Sequence, residues 1–185
     1  MIGVISGLVR GGGQPVEAVV GTRDTPAEVL ALTSVTSVDY VDVFTMPVDV
    51  SATPEGWARA MFGSEPSLGE RLIWRVLLGL RLARGRSAGT VAGWRITGRG
   101  PDWVRLETRS RLMTANLVVR AASGTVALAT MIHHERAAGR WLWTPASALH
   151  RLLVPGVLRR SATIVGRRGS TAPASCAPGK CASTT

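Results

Sequence analysis

The spacing of apolar positions divides the chain into a weakly patterned start, a central block of alternating residues and an apolar stretch near the end. Between Asp39 and Val48, the residues Tyr40, Val41, Val43, Phe44 and Met46 form a β-type run, ended by Pro47 and the polar residues 49–53. Thr53 then offers an N-cap hydroxyl ahead of Pro54 at the first helical position, and Trp57, Ala60 and Met61 follow at helical spacing, which predicts a helix over 54–62. Ser67 and Glu70 form a capping box, and Leu68, Leu72 and Val76 recur every fourth residue, so a second helix is predicted to about Arg84. Beyond Gly89 the period becomes two. Segments 90–98, 103–110, 112–120 and 125–135 are short and apolar or β-branched, separated by turns at Gly98–Asp102 and Ser123–Gly124, and they predict a four-strand antiparallel meander. The last element, 139–160, carries Trp141, Trp143, Leu149, Leu152, Leu153 and Leu158. It reads as a long helix, kinked where Pro155-Gly156 removes a hydrogen bond.

One strand, two helices, a four-strand meander and a long terminal helix predict an α+β fold in which a curved antiparallel sheet packs on the C-terminal helix. Residues 1–37, with the Gly11–Gly13 run, Pro15 and at most a short capped helix within 25–32, read as a flexible leader. Residues 38–165 read as the single domain. The remainder, 166–185, is rich in Ala, Pro, Ser and Thr and reads as a disordered tail.

Composition narrows the function. With 45% hydrophobic residues the chain is no disordered polyelectrolyte, despite a net charge of +10. The longest apolar runs, 72–82 and 149–158, are interrupted by Arg, so no transmembrane segment is expected. Charge is unevenly spread: residues 1–65 hold 3 basic and 8 acidic side chains, 66–135 hold 11 and 4, and 136–185 hold 8 and 0. The basic half suits an anionic membrane surface or an acidic protein partner. Nucleic acid is disfavoured, because stacking aromatics are not interleaved with the cations and neither zinc-finger spacing nor an RNP-type strand is present. The start, Met1 to Val9 running into Arg10 and three glycines, does not read as a signal peptide, so a cytoplasmic location with Cys176 and Cys181 as reduced thiols is expected.

Candidate chemistry is sparse. The glycine triplet is not followed by Lys-Ser/Thr and is no phosphate loop, and no cofactor is expected. His133 and His134 are adjacent at a strand end, where alternation sends one ring to each face, so they suit no shared metal. His133 and Glu107 are the candidate proton-transfer groups, against a structural strand-end role for the first and a cross-strand ion pair within Asp102, Glu107, Arg109, Arg111 and Glu135 for the second. His150 reads as a helix-face side chain. Alternation directs Trp94, Ile96, Leu106, Thr108, Ser110, Met113, Ala115 and Leu117 together toward the long helix. That mostly apolar set with two hydroxyls, joined by His133, would line an apolar pocket, or else pack as core. Trp141 and Trp143, beside Arg136 and Arg140, suit a membrane surface, a partner or a cavity mouth, or packing on the sheet edge.

Four segments in order, DYVDVFTMPVD, RSRLMTANLVVR, GTVALATMIHH and RWLWTPASALHRLLVPGVLRRSA, resemble an actinobacterial branch of a bacterial domain-of-unknown-function family. Its members stand alone or follow NAD(P)-binding short-chain-dehydrogenase-like domains. The resemblance covers residues 38–163 and implies no known activity, beyond a place as an accessory domain to a reductase. The element order also resembles the START-like helix-grip fold, which implies an apolar or amphipathic ligand under the last helix, or cyclase- or isomerase-like catalysis. The chain departs from that pattern in having one predicted strand ahead of the helices where two are usual.

Overall fold

A computed structural model describes residues 14–63 and 87–170. The predicted helix over 67–84 and the tail beyond 170, with both cysteines, lie outside the described residues. Seven antiparallel strands form one curved sheet in the order β1-β2-β7-β6-β5-β4-β3. The strands are β1 (Glu17–Val20), β2 (Tyr40–Pro47), β3 (Thr90–Val91), β4 (Trp94–Arg99), β5 (Trp103–Arg109), β6 (Met113–Ala122) and β7 (Thr125–His134). The helices are α1 (Ala27–Leu30), α2 (Pro54–Phe62) and the long α3 (Ala137–Ser170).

Local chemistry accounts for α2 as its sequence predicted. Thr53 Oγ1 accepts from the Gly56 amide at 3.1 Å, Pro54 opens the first turn, and the chain leaves the helix at Gly63, whose φ of 75° favours glycine. Three expectations need correction. The sheet has two strands ahead of α2, because residues 17–20 of the expected leader pair with β2 from Glu17↔Thr45 to Val20↔Asp42, and Val16 and Val29 are buried. A four-residue strand and a one-turn helix are too short to declare a period. The predicted strand over 90–98 is a hairpin, because Ala92 and Gly93 take φ of 49° and 86°, the two positive values of a tight type I′ turn. Finally, α3 starts earlier and extends past 160, running as one helical element through Pro145 and Pro155.

Helices α2 and α3 pack on one face of the sheet, where Phe44, Met46, Leu106, Leu117 and Leu128 meet Trp57, Val154 and Leu158. The opposite face carries a smaller cluster of Val41, Val43, Val118, Ala129 and Met131, covered in part by Val29, Leu30 and Leu32. The two sets alternate along each strand, as the pleat requires. The start of α3 is pressed onto the β5–β6 loop, since a Cβ at Gly139 would lie 2.3 Å from the Leu112 carbonyl oxygen.

Candidate functional site

Along β2 the residues that share the face of Phe44 and Met46 are Tyr40 and Asp42, so alternation drives a carboxylate into the core. Asp42 is 0% exposed. Its cross-strand neighbour on β7 is Thr130, also buried, and α3 lies across both. Trp143 and His150, seven positions apart and therefore on one side of α3, come down onto this pair. The Tyr40 hydroxyl donates to Asp42 Oδ2 at 2.5 Å, and His150 Nε2 lies 3.0 Å from Thr130 Oγ1 and 3.4 Å from Asp42 Oδ2. Tyr40 and Trp143 meet edge to face with centroids 5.3 Å apart, and Trp143 and His150 are tilted at 5.7 Å.

Two atoms in this constellation are buried and find no hydrogen-bond partner among the described residues: Asp42 Oδ1 and Trp143 Nε1. Burial of a polar atom without a partner costs roughly 1–3 kcal/mol, and more for a charged group. Burial, the Asp42 charge and the hydrogen bond to it push the Tyr40 phenol far above its usual range, so it remains a donor. His150 is partly exposed while Asp42 is sealed, so the imidazole connects solvent to the carboxylate. The arrangement can anchor a polar group, and it can pass a proton between an imidazole and whatever lies beside Asp42.

The sequence candidates fall elsewhere. Leu106, Met113, Ala115, Leu117 and Trp94 are buried on the α3 side and Ile96 is partly buried with them, in one packed cluster with Trp57 and Leu158. Thr108 is buried in the same inward series of β5. Ser110 Oγ serves the chain itself, accepting from the Leu112 and Met113 amides at 3.1 Å each. His133 does not join this lining. It sits in register with Ala129 and Met131, the face turned from α3, with Nδ1 2.9 Å from Ser37 Oγ and 3.1 Å from Asp39 Oδ2. Glu107 also faces away from α3, taking the Ser34 hydroxyl and lying 3.5 Å from Asn116 Nδ2. Neither proton-transfer candidate therefore shares a face with the expected lining.

His134 takes the α3 side, its amide donating to Asp39 Oδ2 at 2.7 Å. Burial pulls its imidazole below the usual 6.5 against the raising effect of Asp39. The charged constellation resolves into Arg109–Glu135 at 2.8 Å and Arg120–Asp102 at 3.1 Å, and hydrogen bonds from Thr114 and Arg109 hold Glu135 below the ordinary carboxylate value. A cleft of about 450 Å³ at the start of α2 holds Arg59 and Arg99, but both already bind Glu55, at 2.8 and 3.2 Å.

No family model, curated protein or solved structure matches the chain. The site therefore stands on its geometry. Asp42, Tyr40 and Thr130 are the residues that sequence reasoning missed; Trp143, read with Trp141 as a surface, cavity-mouth or sheet-edge residue, is buried in the core, and His150, read as a plain helix-face side chain, is turned onto the sheet. The available signal was an acidic residue in the inward series Tyr40, Phe44, Met46.

Proposed function

We propose that the protein binds an apolar or amphipathic small molecule between its sheet and α3, with the polar end of the molecule held at Asp42, Tyr40 and His150. The observation that carries this reading is the sealed Asp42 with one carboxylate oxygen unpartnered among the described residues. A ligand hydroxyl or amine would supply the missing donor; the apolar residues around it form one packed cluster, so the rest of such a molecule enters only where α3 moves off the sheet. The antiparallel sheet gripping a long C-terminal helix supports a helix-grip assignment, as does the second strand ahead of α2. A second reading has its own support in the 3.4 Å approach of His150 to Asp42: proton transfer of the cyclase or isomerase kind, with His150 rather than His133 or Glu107 as the exchanging group.

Native mass spectrometry of the gently purified full chain, followed by organic extraction, tests the first reading. It expects a retained small-molecule mass that Asp42→Asn loses. A clean apo mass for the wild-type chain, with no melting shift across fatty acids, isoprenoids and aromatic polyketides, refutes it. For the second reading, extracted ligand incubated with protein in D2O takes up deuterium, and His150→Gln abolishes the uptake. Uptake unchanged by that substitution removes the proton-transfer role.

A further inference from the structure

The outer side of α3 carries a feature that the site beneath it does not use. Trp141, Leu149, Leu152 and Leu153 are 82%, 45%, 78% and 51% exposed. At 100° per residue they fall, with Pro145, Ala148 and Gly156, on one stripe opposite the buried Trp143, Val154 and Leu158. The stripe runs about 18 Å from Trp141 to Leu153 by helical rise, and no polar side chain interrupts it between 141 and 156. Exposed Arg140 and Arg151 border one edge, and exposed Arg160 follows beyond its C-terminal end. Residues 136–170 contain seven Arg and no Asp or Glu.

Contiguous exposed apolar surface rimmed by charge marks an interface, and the chemistry here selects among partners. A second copy of this face would bring Arg140, Arg151 and Arg160 up against the same three cations. A specific protein interface places about one hydrogen bond in every 100–200 Å², whereas this stripe offers only one polar side-chain atom, the Trp141 indole nitrogen. Hydrocarbon asks for no hydrogen bonds, and arginine flanks with long apolar stems and charged heads suit anionic headgroups. Among the described residues no helix is long and apolar enough to cross a membrane. We propose that the outer face of α3 is a peripheral docking surface for an anionic lipid bilayer, with Trp141, Leu149, Leu152 and Leu153 entering the headgroup boundary and Arg140, Arg151 and Arg160 contacting lipid phosphates. This surface lies on the solvent side of α3 and is independent of what occupies the Asp42 site.

The test is flotation of the full chain with phosphatidylcholine vesicles, with and without phosphatidylglycerol. Binding is expected only when phosphatidylglycerol is present, and it weakens as salt is added. Leu152→Glu reduces partitioning at least about tenfold, and the combined Arg140→Gln, Arg151→Gln and Arg160→Gln variant on the order of a hundredfold. These exposed positions leave the circular-dichroism melt unchanged, and should Leu152→Glu fail to fold, the arginine variant alone decides. The proposal is overturned by no flotation with anionic vesicles, by binding that both variants preserve, or by salt-sensitive binding to polyglutamate without binding to vesicles, which would assign the face to an acidic protein.

Discussion

Two side chains in this domain, Asp42 and Asn116, are both 0% exposed, lie on strands of one sheet and face opposite layers. The Asn116 carbonyl is fully engaged. Its Oδ1 accepts from Thr33 Oγ1 at 3.0 Å and from the Ser34 amide at 2.7 Å, Ser34 Oγ lies 2.9 Å away with its one proton given to Glu107, and the Asn116 amide nitrogen lies 3.5 Å from Glu107. It staples the segment after α1 to the sheet. Asp42 has a donor on Oδ2 and none on Oδ1 among the described residues. Burial is the same in both, so burial does not distinguish a staple from a site. Satisfaction does: a saturated polar group stabilises the fold that surrounds it, whereas a half-satisfied one costs stability and is retained for some other reason.

The largest expected effect comes from cutting the staple. Asn116→Ala strands the Ser34 amide and the Thr33 hydroxyl, and thermal unfolding should show a loss of about 3 kcal/mol, a drop of roughly 6–12 °C. A loss under about 1 kcal/mol would erase the difference between the two regions. Next in size is Tyr40→Phe, which removes the hydroxyl donor from a buried carboxylate and should cost about 2 kcal/mol in denaturant unfolding. Repeated in an Asp42→Asn background it should cost less than about 1 kcal/mol, because the charge it served is gone. Equal costs in the two backgrounds would mean that Tyr40 stabilises by packing alone.

These residues also show what could be read from sequence. The helix α2 was legible because Thr53, Pro54 and Gly63 act within one turn of themselves, and the inward series Leu106, Met113, Leu117 because it needs only the pleat. Hairpin β3–β4 was hidden by an alanine at positive φ, a residue type that seldom marks such a turn. Strand β1 was hidden by its length of 4 residues, since its pairing partner lies more than 20 positions away. Asp42 was passed over although it alternates with Tyr40, Phe44 and Met46, and its meaning depended on where His150 of α3 comes to rest. Asn116 could not be recognised at all until residues 33–34 were seen folded over the sheet.

The smallest effect sharpens the contrast through pH. His134 is a weaker case of the unsatisfied kind, with a buried Nε2 that finds no partner among the described residues. Its folded pKa lies below 6.5, so just below that pH the unfolded chain binds more protons than the folded one. Stability should therefore fall as pH drops through 6.5, and His134→Asn should flatten this part of the profile. The depressed Glu55 and Glu135 carboxylates act in a lower window, their contribution being lost as pH falls below 4.5 through their folded values. A profile unchanged by His134→Asn would remove His134 from this comparison.

The unfolding free energy of Asp42→Asn relative to the wild-type chain, from denaturant titration, bears most directly on whether Asp42 is kept for a ligand or for the fold. A half-satisfied site residue predicts stability equal to the wild type or up to about 1 kcal/mol higher, because the substitution removes a buried charge and keeps an acceptor for Tyr40. A loss of about 3 kcal/mol or more, the size expected for cutting the Asn116 staple, would show that Asp42 holds the fold together and would contradict the site.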